Sequence, residues 1–172
     1  MLAGCRNGAK PSSPSGDAAA ATLDVAPAQF ADLAPGDTAG VVAMMRQTMR
    51  NIDAGLGEMT QRDTTLGGGA DSVSHHLTTW LQQGVPRKLV VIDSAAHGQS
   101  NSETDVWFMG GDVAVLLQAA DAYAFDSDRI VLWTDEALQP YREVAPPLVM
   151  AKQAELIDAV RRWLAALGIR AP

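Results

Sequence analysis

Cysteine is almost missing from this chain: Cys5 is the only one in 172 residues. A lone thiol excludes an intramolecular disulfide framework and a zinc site built on cysteines, so the fold must rest on packing. Histidine is nearly as scarce, with His75, His76 and His97 the full set. Basic charge is short as well, since 13 Lys and Arg against 20 Asp and Glu leave a net charge of -7. A nucleic-acid binder needs a basic stripe to neutralise phosphates. Between Asp63 and Asp128, however, nine acids stand against only Arg87 and Lys88. That region repels polyanions, and no nucleic-acid partner is expected. No apolar run approaches the ~18 residues that mark a membrane-crossing helix. What is present is 47% hydrophobic content, enough at this length for one sizeable core.

Along the chain, residues 6–36 are rich in Ala, Pro, Ser, Gly and Asp, with only Leu23, Val25, Phe30 and Leu33 as large apolar groups. Such a stretch buries too little surface to offset its ordering entropy. It reads as a flexible linker that meets the domain near Phe30, and a single domain is expected over residues 37–170. At Asp37-Thr38, a pair able to cap a helix, a stripe begins: Val41, Met45, Met49, Ile52, Leu56 and Met59 follow at spacings of three and four. This predicts an amphipathic helix ending near Arg62, weakened at Gly55 and Gly57 by about 1 kcal/mol each relative to alanine. Its methionine-rich face reads as core in preference to a soft partner-binding groove.

After LGGGADS the period changes to two. Strands are predicted at 75–83, 89–93, 104–109, 113–117 and 129–134, with turns at Gly84 to Pro86 and at Gly110-Gly111-Asp112. QAADAYAFDSD reads as a loop. Successive strands with no helix between them imply an antiparallel meander. Pro146-Pro147 then opens a second helix, with Leu148, Leu156, Val160, Trp163, Leu164 and Leu167 on its apolar side and Gly168 as its stop. The expected fold class is α+β: an N-terminal amphipathic helix, a five-stranded antiparallel meander and a C-terminal helix. Both helices are placed on one sheet face, because each strand is read as having a single strongly apolar side.

Candidate chemistry centres on HGQSNSE, residues 97–103. Gly98-Gln99-Ser100-Asn101 resembles the nucleophile block of carbohydrate acetylesterases of the SGNH hydrolase class, which implies a serine hydrolase with Ser100 as nucleophile. In that class a late Asp-x-x-His segment supplies the base, whereas here no histidine follows His97. A serine needs an oriented base, so a hydrolase reading must draw on Ser100 or Ser94 with His97 and Asp93. The plainer reading is a polar loop between strands, with no catalytic residues. His75, His76 and His97 with Asp71, Asp93 or Glu103 suggest a metal site, but adjacent histidines on a strand point to opposite faces. No metal site or cofactor is expected. Trp80, Trp107, Trp133 and Trp163 read as core aromatics in preference to a ligand cleft. FDSDR, residues 125–129, is a turn, too short for a calcium loop.

Leu2-Ala3-Gly4-Cys5 resembles the lipobox of bacterial lipoproteins, after which a dedicated peptidase cuts. The resemblance implies that Cys5 becomes the first residue of the mature protein, with diacylglycerol on its sulfur and an acyl chain on its amine. Several acyl chains, each contributing ~0.8 kcal/mol per buried CH₂, make such an anchor stable. Arg6 after the cysteine, where a sorting rule reads Asp as a retention signal, implies the outer membrane, with the domain facing the periplasm. Such signals also carry a basic and an apolar segment upstream. Only Met1 precedes the box here, so either translation starts further upstream or the chain as given is not exported. Residues 38–168 resemble small Gram-negative lipoproteins of unknown function through TDVWFMGGDVAVLL, DRIVLW and AKQAELIDAVRRWLAALG. The expected function is that of a membrane-anchored envelope lipoprotein, a non-catalytic module tethered by a linker with a reach of roughly 30 Å. Its partner is a protein, lipid or small molecule of the envelope; the alternatives are a serine esterase and a purely structural envelope component.

Overall fold

The computed structural model describes residues 30–34, 36–67, 73–94 and 101–170, with Ala31 and Asn101 given by their backbone alone. A short 3₁₀ turn, Phe30–Asp32, comes first, and Phe30 is buried. Asp37 then caps the first helix: its carboxylate accepts from the Gly40 N–H at 2.9 Å, satisfying a donor that the first turn leaves free. Helix α1 runs Thr38–Ala54. It does not reach Arg62. Gly55 is its C-terminal cap, Leu56–Glu58 form a 3₁₀ turn, and the chain is extended from Thr60. The two glycines stop a stripe whose apolar spacing would have carried it further.

The extended segments are β1 (Thr60–Gly67), β2 (Ser74–Gln82), β3 (Val85–Ser94), β4 (Asn101–Met109), β5 (Asp112–Gln118), β6 (Asp121–Asp126) and β7 (Arg129–Asp135). Each pairs antiparallel with the next, giving one seven-stranded sheet in chain order. Seven strands replace the expected five, and the two extra ones have separate physical reasons. Strand β1, TQRDTTLG, is largely exposed and carries no apolar alternation. Strand β6, DAYAFD, was expected as loop, yet Ala122, Tyr123, Ala124 and Phe125 are all buried. Covered on both sides, it lacks the polar alternation that marks a half-buried strand. The turns around it hide it further. Ala119 and Ser127 adopt positive φ, 54° and 56°, so these tight reversals form without the glycines that usually announce them.

Helix α2 spans Pro146–Ala166. Its Leu156, Ile157, Val160, Trp163 and Leu164 form one core with Leu77, Leu89, Val106, Phe108, Leu116 and Phe125 of the sheet. A second core joins Val42, Met45 and Ile52 of α1 to Phe30, Trp107, Val115, Ala122 and Ala124. Adjacent residues Val115 and Leu116 belong to different cores, as the two-residue period of a strand requires. The helices therefore cover opposite faces, and the expectation of a shared face is corrected: β5 and β6 are apolar on both sides. Register shifts leave one residue out of the ladder at three places, Arg87 in β3, Ala114 in β5 and Val131 in β7. Such bulges bend the strand and re-aim the side chain concerned.

Candidate functional site

Strand pairing sets His75, Asp93 and Ser102 side by side on the α2 face. His75 Nδ1 lies 2.6 Å from Asp93 Oδ1, and Ser102 Oγ donates to Asp93 Oδ2 at 3.0 Å. The carboxylate is the central member of this row. In a nucleophilic triad the imidazole must be central, taking the serine proton while the acid orients it. Here the Ser102 proton points at the acid, so the row is a cross-strand polar lock and not an activated serine. Ser94 adds only its carbonyl oxygen, which accepts from Ser74 Oγ at 3.4 Å. Of the other sequence candidates, Cys5, Asp71, His97 and Ser100 lie outside the described residues. His76 faces away from His75, 3.4 Å from Thr65 Oγ1. Glu103 is exposed on that same side of the sheet, paired across the ladder with Ile92. Among the described residues, no group of three or more His, Cys, Asp or Glu side chains is placed to hold a metal ion.

The α1 face is organised by Lys88. Its Nζ meets Asp53 Oδ1 at 3.1 Å and Asp105 Oδ1 at 3.3 Å, and sits 4.6 Å from the centroid of the Trp107 ring. Trp107 Nε1 donates to the same Asp53 oxygen at 2.9 Å. Asp53 belongs to the last turn of α1, so this clamp ties the helix end to β3 and β4. Burial pushes the Asp105 carboxyl above the usual aspartate range, Lys88 opposes that shift, and Glu103 adds to it.

Beside the clamp, α1 and the sheet leave a groove of about 330 Å³. Met44 and Ile52 of α1 and Met109 of β4 form its apolar wall, while the exposed residues Ala43, Gln47 and Asn51 lie at its mouth. Two donors reach it. The first is Arg87, the bulge residue of β3, whose Nε is buried and finds no acceptor among the described residues. The second is the buried Thr48 hydroxyl, whose partner is the Met109 sulfur at 3.6 Å, a weak acceptor. A larger hollow of about 630 Å³ lies between the Phe30 turn and β7. Its charged groups are already engaged: Asp126 pairs with Arg129 at 3.6 Å and Asp37 caps α1. Among the described residues two buried donors find no acceptor, Arg87 Nε and Trp133 Nε1; of the two, only Arg87 lines the groove under α1.

The chain matches no family model, and neither the curated proteins nor the solved structures provide a significant match. Sequence reasoning missed Arg87, which entered only as a charge, because its position outside the ladder depends on a bulge. Thr48 was missed because it interrupts the apolar stripe. The pairing of His75 with Asp93 was equally hidden: the turn, with Gln82 opposite Val85, would by itself set His75 against Ile92, and only the bulge at Arg87 moves Asp93 into place.

Proposed function

We propose that this protein is a membrane-anchored envelope lipoprotein whose domain binds a ligand and performs no chemistry of its own. The binding place is the groove between α1 and the sheet. The observation that carries this reading is the buried Nε of Arg87, which has no acceptor among the described residues and lies beside an apolar wall. A pocket with few, convergent polar groups in apolar surroundings is the usual form of a small-molecule site. The state of Asp93 supports a non-catalytic role. Both of its oxygens are engaged, by His75 and Ser102, so the acid that a Ser100–His97 esterase would draw on is already committed elsewhere. The LAGC box at residues 2–5 supports the anchor, and the lipid on Cys5 would hold the domain at the outer membrane, facing the periplasm.

Three experiments test this reading. The gene is expressed with its own upstream region in a Gram-negative host supplied with labelled palmitate; label in the wild type and none in Cys5→Ala supports the anchor, and label in neither removes it. The domain purified from the envelope in mild detergent is then examined by native mass spectrometry. A small molecule carried by wild type and lost on filling the groove with Met44→Trp supports binding there. Hydrolysis of acetyl esters by wild type but not by Ser100→Ala would replace the binding reading with the esterase.

A further inference from the structure

Arginine stays charged at any pH a protein experiences, and a buried donor left without an acceptor carries a free-energy penalty that calls for an explanation. Acids are abundant in this chain, and the neighbouring cation, Lys88, meets two of them, Asp53 and Asp105. Arg87 meets none among the described residues. It also stands outside the β2–β3 ladder, because Trp80 pairs with Lys88 and Leu81 with Pro86, and the bulge turns its side chain toward the groove. Close by, the Thr48 hydroxyl is buried with only a thioether to donate to. A cationic fork and a hydroxyl thus converge at the end of a wall built from Met44, Met109 and Ile52. Methionines re-pack readily around flexible hydrocarbon.

From this arrangement we infer that the groove binds a single short hydrocarbon chain ending in a carboxylate, with Arg87 as the residue that selects the charged head. The inference rests on the binding function proposed above and names its ligand class. A guanidinium presents two parallel N–H donors that match a carboxylate, and Thr48 supplies a third donor to the same head. The groove, about 330 Å³, lies near the lower end of the roughly 300–1,000 Å³ typical of ligand pockets. That accommodates one chain of medium length and excludes a two-chain lipid.

The test uses the full chain with ¹³C-methyl methionine, titrated separately with octanoate, octanol and dioctanoyl phosphatidylglycerol. The Met44 and Met109 methyl signals report the groove. Met45, buried in the core, reports the fold, and exposed Met150 on α2 reports non-specific binding. Octanoate should shift Met44 and Met109 and bind roughly tenfold or more tightly than octanol, the difference expected of charge-assisted hydrogen bonds. Arg87→Gln should weaken octanoate far more than octanol and so remove that preference, and Arg87→Lys should restore part of it. Equal affinities for octanoate and octanol, or an Arg87→Gln protein that keeps the preference, would overturn the carboxylate assignment and leave the groove as a binding place. Tighter binding of the phospholipid at the same methyls would overturn the single-chain assignment. If neither octanoate nor octanol moves Met44 and Met109 while the Met45 signal shows a folded protein, the groove and the function proposed for it both fall.

Discussion

The two faces of the sheet are built on different principles. On the α2 side, large side chains interlock: Phe108, Leu116, Tyr123 and Phe125 meet Leu156, Val160, Trp163 and Leu164. On the α1 side the sheet offers Ala114, Ala122 and Ala124 beneath the helix, and the helix end is held by Lys88, Asp53 and Trp107. Packing of large apolar groups yields stability but leaves no room, whereas a helix held in part by a polar clamp can stand over a groove. The same sheet thus has one face filled by interlocked side chains and one face that leaves a groove.

The sharpest way to break this comparison is to truncate one fully buried side chain on each face. Phe108→Ala should cost about 3–5 kcal/mol in urea unfolding, the range for a buried phenylalanine, and Phe108 is 0% exposed. Met45→Ala, equally buried on the α1 side, should cost only about 2 kcal/mol, near the low end for such a change, because the half-open layer can settle into the space. A Met45→Ala cost equal to that of Phe108→Ala would erase the distinction. A smaller effect should follow from Asp53→Ala. Because Asp53 is 43% exposed, solvent screening limits the global loss to about 1 kcal/mol. The loss should be local: amide exchange should accelerate in residues 50–54 and stay unchanged in α2.

The smallest effects concern pH, and two carboxylates on the α1 face should act with opposite signs. The native state holds the proton on Asp105 to a higher pH than the unfolded chain does, so this group's contribution to stability falls as pH rises from about 4 through its raised value. The stability of Asp105→Asn relative to wild type should therefore improve across that rise. Asp63 is the reverse. Hydrogen bonds from Thr78 and then Gln61 hold it below the usual aspartate range, so it contributes stability at neutral pH that is lost as pH falls through and below about 4. Asp63→Asn should flatten the acid limb of the stability curve measured by urea unfolding. If both variants tilt the curve the same way, the assignment of burial to Asp105 and of hydrogen bonding to Asp63 is wrong.

Legibility in the sequence followed local chemistry. Pro146 marks the start of α2 and Gly110-Gly111 the β4–β5 turn because proline and glycine act through backbone restrictions that need no neighbours. The stripe of α1 was readable as far as Ile52, and its true end at Ala54 was obscured because the 3₁₀ turn continues the apolar spacing. β1 and β6 were not readable, one too polar and the other covered on both sides. Within the candidate site, Met44 belongs to a visible methionine-rich helix, but Arg87 looked like any surface cation. Its importance depends on what fails to surround it.

The sequence by itself determined the α+β composition, the lone cysteine in a lipobox-like setting and the net acidity of the chain. Periodicity, caps and charge are properties of near neighbours along a chain. Only the tertiary structure decided the number of strands, the placement of the two helices on opposite faces, the His75–Asp93–Ser102 row and the position of Arg87 in its groove. These depend on register and on bulges of a single residue, and a shift of one residue turns every side chain beyond it to the other face.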